Sequence, residues 1–232
     1  MISLLIPVFN ERKYISKTLD NCISQLEKLN KDFEIVVSDN ASDDGTKEIL
    51  ENYKFDKLKI NFNNFNKGKG GNLKECIKLA YGEIIIFFDS DLEYHVNVIP
   101  DILECFDKFN PDTVFASRFI NIKYKPTHGL IFYIANVILT LFTNILFNKN
   151  YSDVETGVKA FKKNTLQDLN LKSNAFDIEN EICGKLARLG KDVIEIPVEY
   201  YPRKKIDGKK VKWIDFFKAL ISIIKWRFYK IW

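Results

Sequence analysis

The chain has 232 residues, 46% hydrophobic and 14% aromatic, enough to bury one sizeable α/β core and too apolar for a disordered chain. Its net charge of +4 is uneven: residues 203–232 hold ten Lys/Arg against two Asp, while the other 202 residues hold 25 against 29 Asp/Glu. A near-neutral body with a basic tail points to an anionic partner surface, membrane or nucleic acid. Cys22, Cys76, Cys105 and Cys183 are scattered, with no CxxC pair and no Cys–His ligand spacing, which excludes a zinc ribbon or disulfide framework and fits a reduced, cytoplasmic chain. His95 and His128 are the only histidines, and no basic segment precedes the first apolar run, which argues against a signal peptide.

In chain order, ISLLIPV (2–8) reads as a strand, and Asn10 is placed to N-cap a helix whose Ile15, Leu19, Cys22, Ile23, Leu26 and Leu29 recur at helical spacing. EIVVSD (34–39) is a second buried strand, closed by the turn-rich NASDDGT. A helix near 46–54, a short strand KINF (59–62), the loop NKGKGG, a helix over 72–81 and a strand over 84–88 follow. The pattern then gives a helix over 98–109 and the strand TVFAS (113–117). Short apolar strands alternating with helices predict a mainly parallel, Rossmann-like sheet with helices on both faces and ligands beyond its carboxyl ends.

After residue 118 the pattern changes. Residues 129–147 contain no charge and meet the crude length for a spanning helix, yet Asn136, Thr140, Thr143 and Asn144 form one polar stripe. The expectation is a helix lying on a membrane or packed on the domain. The segment 213–232 carries all three tryptophans. Asp215, Lys218, Ser222, Lys225 and Lys230 mark a polar face, and Phe217, Leu220, Ile221, Ile224 and Phe228 an apolar one. That is the pattern of an interfacial helix, and equally of a terminal helix docked on the body. The chain accordingly divides into a body, 1–202, with halves 1–118 and 119–202, and a basic amphipathic tail, 203–232.

The chemistry concentrates in IIIFFDSDLE (84–93). An apolar strand runs into Asp89, Ser90, Asp91 and Glu93, and carboxylates left unpaired there cost several kcal/mol each. Strand alternation would aim Asp89 and Asp91 the same way, with Glu93 close behind. Hard oxygen ligands of this kind suit Mg²⁺ or Mn²⁺ carrying a diphosphate. PVFNE replaces the GxGxxG of a dinucleotide fold, and GKGG (68–71) lacks the continuation of a P-loop. Those glycines fit a backbone cradle for a nucleotide and a plain flexible turn equally well.

PVFNE, SDNASDDGT, NKGKGGNL and FFDSDLE, in this order, resemble the family-2 glycosyltransferases of the GT-A fold. SRF (117–119), DVETGVKAFKK (153–163), FDIENEI (176–182) and IPVEYYPR before GKKVKW extend the resemblance to the polyprenyl- and dolichol-phosphate mannose and glucose synthases. The resemblance implies that Pro7, Asn10, Glu11 and Asp39 line the nucleotide pocket, with Lys69 and Gly70 near the ribose and diphosphate. It implies that Asp89 and Asp91 hold the metal, with Glu93 where many relatives have Gln. Arg118 and Arg203 would grip phosphates, and Asp153 with the Thr156–Gly157 turn would sit at the sugar and acceptor end. A helix cap for Asp153 and a plain surface charge for Arg203 are the bland alternatives.

The implied partners are a nucleotide sugar of the GDP-mannose or UDP-glucose type, a lipid-phosphate acceptor and the cytoplasmic face of a membrane. A lipid phosphate is already an anionic nucleophile. A sugar hydroxyl on a surface glycan or glycolipid, the alternative acceptor, would need Asp153 or Glu179 as base. No QxxRW is present, which argues against a processive synthase. A nucleic-acid-binding protein would leave the DSD site unexplained, and a nucleotidyltransferase would want a glycine-rich basic loop in place of PVFNE.

Overall fold

The structure, a computed structural model, describes residues 1–120, 130–203 and 213–230. The basic run 204–212, the Trp213 side chain and Trp232 lie outside the described residues. The first half runs β1 (Ile2–Val8), α1 (Ile15–Glu27), β2 (Phe33–Asp39), α2 (Thr46–Asn52), β3 (Leu58–Phe62), α3 (Gly68–Leu79), β4 (Ile84–Phe87), α4 (Val98–Phe109) and β5 (Thr113–Ser117). The second half adds α5 (Leu130–Phe147), β6 (Lys159–Lys162), α6 (Lys163–Leu169), α7 (Ile178–Arg188), β7 (Val193–Pro197) and α8 (Trp213–Phe228).

The strands form a seven-stranded sheet in the order β3-β2-β1-β4-β6-β5-β7, parallel except for β6, which runs antiparallel to β4 and β5. This is the expected mostly parallel α/β architecture. One face is sealed by Ile15, Leu19 and Cys22 of α1 with Ile99 and Ile102 of α4. The other is sealed by Leu73 and Cys76 of α3, Leu139 of α5, Ile178 and Ile182 of α7 and Ile223 of α8. Both sides of β1, β2 and β5 are therefore buried, which is why these strands read as continuous apolar runs rather than alternating ones.

Two local expectations are corrected. Asn10 does not cap α1, which begins at Ile15; Asn10 takes a left-handed backbone (φ 52°) and exchanges two side-chain hydrogen bonds with Asp43. α3 starts at Gly68 rather than residue 72, so NKGKGG supplies a helical turn. Asn40 and Asn66 accept the backbone N–H groups of Lys67 and Gly68, and the glycines let that turn press on the 173–175 backbone. A Cβ on Gly68 would come 2.3 Å from the Asn174 carbonyl oxygen, and Gly68 sits at φ +77°.

α5 and α8 pack against each other and α8 also against α7, so the tail helix belongs to the body. No helix among the described residues is long and apolar enough to cross a membrane. The polar stripe of α5 points inward: Asn144 bonds both backbone groups of Tyr151, and Thr140 Oγ1 accepts the Val154 N–H. α8 buries Ala219, Ser222, Ile223 and Trp226, so Ser222 leaves the predicted polar face, while Phe217, Ile221, Ile224 and Phe228 stay exposed. Trp226 is fully buried, with the Lys185 ammonium 4.5 Å from its ring centre and Arg188 Nη1 bonding its carbonyl.

Trp226→Ala should therefore destabilise the fold by about 3–5 kcal/mol, the range for a large buried aromatic. Ile221→Ser, on the outer face of the same helix, should change stability by under about 0.5 kcal/mol. Chemical denaturation of the two variants separates these faces, and equal effects would contradict the assigned packing.

Candidate active site

β4 ends at Phe87, so the acids after it lie in a turn beyond the strand and strand alternation does not aim them. Phe88 N–H still bonds Leu5 C=O, which holds the chain beside β1. Leu92 then takes a left-handed backbone (φ 60°), a conformation costing an L-residue about 1–2 kcal/mol, and Glu93 N–H bonds Asp91 Oδ1. This turn sends Asp89 and Asp91 into one cavity.

Cations from distant segments meet them. Lys69, near the start of α3, lies 3.2 Å from both Asp89 Oδ1 and Glu179 Oε1. Glu179 in turn reaches the buried Lys159 of β6 at 2.5 Å, and Lys159 also bonds the carbonyls of Val154 and Thr156. Burial opposes charge on both partners, yet Lys159 and Lys69 hold Glu179 below the usual carboxylate range, while Asp89 and Glu179 hold Lys69 above the usual amine range. Arg203 donates to Glu11 and Asp91, each at 2.9 Å. Burial, then Asp89 and Glu93, still push Asp91 up to about 7.

Glu93 is turned to another task. One oxygen accepts the Tyr200 hydroxyl at 2.5 Å and the other the Arg203 backbone N–H at 2.8 Å, which pins the segment after β7 over the acids. The Asp153 carboxylate is fully buried and binds Arg118 through Nε and Nη2, both at 2.7 Å. Glu195 accepts the N–H groups of Ser152 and Asp153 and holds that carboxylate in place. Asp153 is thus a partner for Arg118 rather than a helix cap, and Arg203 is no plain surface charge. Thr156 Oγ1 is spent on Ala116 C=O, and a Cβ on Gly157 would stand 2.0 Å from Asp89 Oδ2, so glycine is required there.

One cavity of about 960 Å³ gathers these groups. Pro7, Glu11, Lys69, Asp89, Ser90, Asp91, Glu93, Arg118, Gly157, Glu179 and Arg203 all line it. Asn10, Asp39, Gly70, Asp153 and Thr156 stand behind its walls. Gly70 admits the Ser173 carbonyl, and buried Asp39 accepts Ser42 N–H through Oδ2. Sequence reasoning missed Asn40, Asn66, Asn72, Tyr94, Glu155, Asn180 and Tyr200, which also line the cavity. Glu155 and Asn180 sit inside quoted motifs, one residue from a named position; Lys159 lies inside the same DVETGVKAFKK motif but two residues from one, in β6. The wall from α5 and α8 is mostly apolar, from Ile134, Ile138 and Leu139 with Phe216, Phe217 and Ala219, and Asn136, Asp215 and Lys218 also line it.

The Glycosyl transferase family 2 model matches residues 3–168. The chain belongs to glycosyl transferase family 2. A dolichyl-phosphate beta-glucosyltransferase, ALG5A of Trichomonas vaginalis, is 28% identical over 97% of this chain and 72% of its own length. Glycosyltransferase AglD of Haloferax volcanii is 25% identical over 87% of this chain, which spans 33% of that longer protein. The solved glucosyl-3-phosphoglycerate synthase of Mycobacterium tuberculosis, in complex with Mn²⁺, UDP and phosphoglyceric acid, superposes with a TM-score of 0.71 at 16% identity, over 98% of this chain and 78% of that one, a likeness of fold.

A divalent cation in this family-2 chain fits Asp89 and Asp91, two hard-oxygen carboxylates that line one cavity beside Gly157. Among the described residues no third Asp, Glu, His or Cys completes a protein-only metal site.

Glu155 titrates apart from the paired acids. Burial, then the Glu179 charge, push it from 4.5 up to about 7. The unfolded chain releases this proton first, so the stability this group contributes is present below pH 4.5 and is lost as pH rises through 7. Glu155→Gln in this glycosyltransferase should therefore gain on the order of 2 kcal/mol over wild type above pH 7 and nothing at pH 4. Thermal unfolding of both proteins across that range checks it; a constant difference would contradict the assignment.

Proposed function

We propose that this family-2 glycosyltransferase moves a sugar, with inversion, from a nucleotide sugar to a polyprenyl phosphate at a membrane surface. The observation that carries the reading is one cavity with two chemistries: a charged end built from Asp89, Asp91, Lys69, Arg118 and Arg203, and an apolar end between α5 and α8. A lipid phosphate needs both at once. The dolichyl-phosphate substrate in the name of the Trichomonas relative supports the same acceptor class.

The chain's own groups divide the work. Asp89 and Asp91 would hold Mg²⁺ or Mn²⁺, which supplies countercharge to the leaving diphosphate. Lys69, fixed between Asp89 and Glu179, sets a permanent cation beside it, and Arg203 adds a second. Arg118, oriented by Asp153, can grip the acceptor phosphate with its remaining guanidinium donors. Both carboxylates first considered as bases are engaged: Asp153 is bonded to Arg118, and Glu179, held between two lysines, is a weaker base than a free carboxylate.

One observation favours transfer to a hydroxyl instead. Glu155 lines the cavity with a pKa near 7, the value suited to a general base. Turnover separates the two acceptors. With undecaprenyl or dolichyl phosphate in detergent and UDP-glucose or GDP-mannose as donor, Asp91→Asn should lose at least about a thousandfold in kcat/KM, several kcal/mol of transition-state stabilisation. Glu155→Gln should keep kcat within about tenfold. A loss nearer the 10²–10⁴-fold contribution of a general base would move the acceptor to a hydroxyl.

The outer surface supports membrane attachment. With the α5 polar stripe turned inward, Ile131, Leu141 and Ile145 of α5 and Phe217, Ile221 and Phe228 of α8 are exposed, and the sequence just before α8 is rich in Lys/Arg. Each basic residue near an anionic leaflet contributes about 1 kcal/mol, and the apolar stripe adds a salt-insensitive share. The protein should co-sediment with phosphatidylserine-containing vesicles, weakly but measurably at high salt. Phe217→Ser, Ile221→Ser and Phe228→Ser combined should remove most of that binding without unfolding the body, whereas deleting α8 would strip Trp226 from the core. Wild type left in the supernatant at low salt would end the membrane reading.

A further inference from the structure

Asn180 stands in the first turn of α7, is 1% exposed and lines the cavity. Neither its amide nitrogen nor its amide oxygen has a hydrogen-bond partner among the described residues. A buried polar group left this way costs about 1–3 kcal/mol. Its neighbour Glu179 is by contrast bonded to two lysines. Glu155, from the segment between Asp153 and Gly157, lines the same cavity, and its Oε1 is buried and unpartnered too. Two elements far apart in sequence thus present unsatisfied polar atoms to one space, next to Glu179.

The pairing excludes an anion. Phosphate groups are served by Lys69, Arg118 and Arg203, and a carboxyl beside an amide offers them one repulsive partner and one weak donor. Neutral hydroxyls match the pair. The amide can donate to one and accept from another, and the carboxyl oxygen can accept a third hydrogen bond. We propose that Asn180 and Glu155 read the hydroxyl groups of the transferred sugar and set which hexosyl group the enzyme accepts. This rests on the nucleotide-sugar reading above. A site whose buried polar atoms are satisfied only by a particular hydroxyl arrangement discriminates strongly against a sugar lacking one of those hydroxyls, because the same atoms are then left unpaired.

Titration calorimetry with Mn²⁺ tests it, using UDP, GDP, UDP-glucose, GDP-mannose and the deoxy-sugar analogues of the better donor. Asn180→Ala should bind the nucleoside diphosphate within about twofold of wild type. It should bind the matching nucleotide sugar roughly tenfold more weakly, the size of one to two net hydrogen bonds, and should tell the deoxy analogue from the parent sugar less well than wild type does. Glu155→Gln, which preserves shape, provides a second probe should Asn180→Ala fail to fold; it should show a smaller drop of the same kind. If the variants keep the wild-type ratio of sugar-conjugate to diphosphate affinity, the hydroxyl-reading role is overturned while nucleotide binding stands. A wild-type protein that binds none of the nucleotides overturns the donor reading and this proposal with it.

Discussion

Glu11, Asp89, Asp91 and Glu93 converge where β1 and β4 end, Glu11 and Glu93 buried and Asp89 and Asp91 partly so, and their mutual repulsion is tolerable only if cations are delivered to the same place. The described structure does this with side chains from opposite ends of the chain. Lys69 comes from the glycine-rich start of α3, Arg203 from the segment beyond β7, and Lys159 supports Lys69 indirectly by holding Glu179. Removing one partner of such a buried pair costs about 3–5 kcal/mol, so the site and the fold are stabilised by the same contacts. Close approach to the 173–175 backbone at Gly68 and Gly70, and to the Asp89 side chain at Gly157, is what lets these groups meet.

The acids of the second half divide by partnership. Asp153, Glu179 and Glu195 are consumed by Arg118, by two lysines and by the 152–153 backbone, and they hold cations and loops in position. Glu155 has no such partner for Oε1, and its neutral form persists to about pH 7. Roles that look interchangeable in a list of carboxylates are separated by what each side chain touches.

α5 and α8 invert the usual arrangement of a surface helix. The α5 polar stripe satisfies the backbone of residues 151–154, and the apolar residues left over form one wall of the cavity and the outer surface at the same time. The charged site and the apolar surface therefore meet along the same two helices.

Much of this was legible in the residues. Apolar runs located β1 to β5, and four motifs at strand ends pointed to the family and to Lys69, Asp89 and Asp91 as candidates, with SRF and IPVEYYPR adding Arg118 and Arg203. The sequence by itself determined element type from β1 to β5 and the edge of the sheet where the candidate site lies, because both follow from local periodicity and from turns at strand ends; β6, α6, α7 and β7 were not read from it. It could not determine pairings across long separations. That Glu93 would be spent on Tyr200 and Arg203, that Asp153 would serve Arg118, that Lys159 would sit beneath Glu179, and that Ser222 would be buried while Ile221 is not, were decided only when the antiparallel β6 and the docked α8 brought distant segments together. An ion pair between residues more than a hundred positions apart leaves no periodic trace in either segment, because its energy depends on distance and burial in the folded chain.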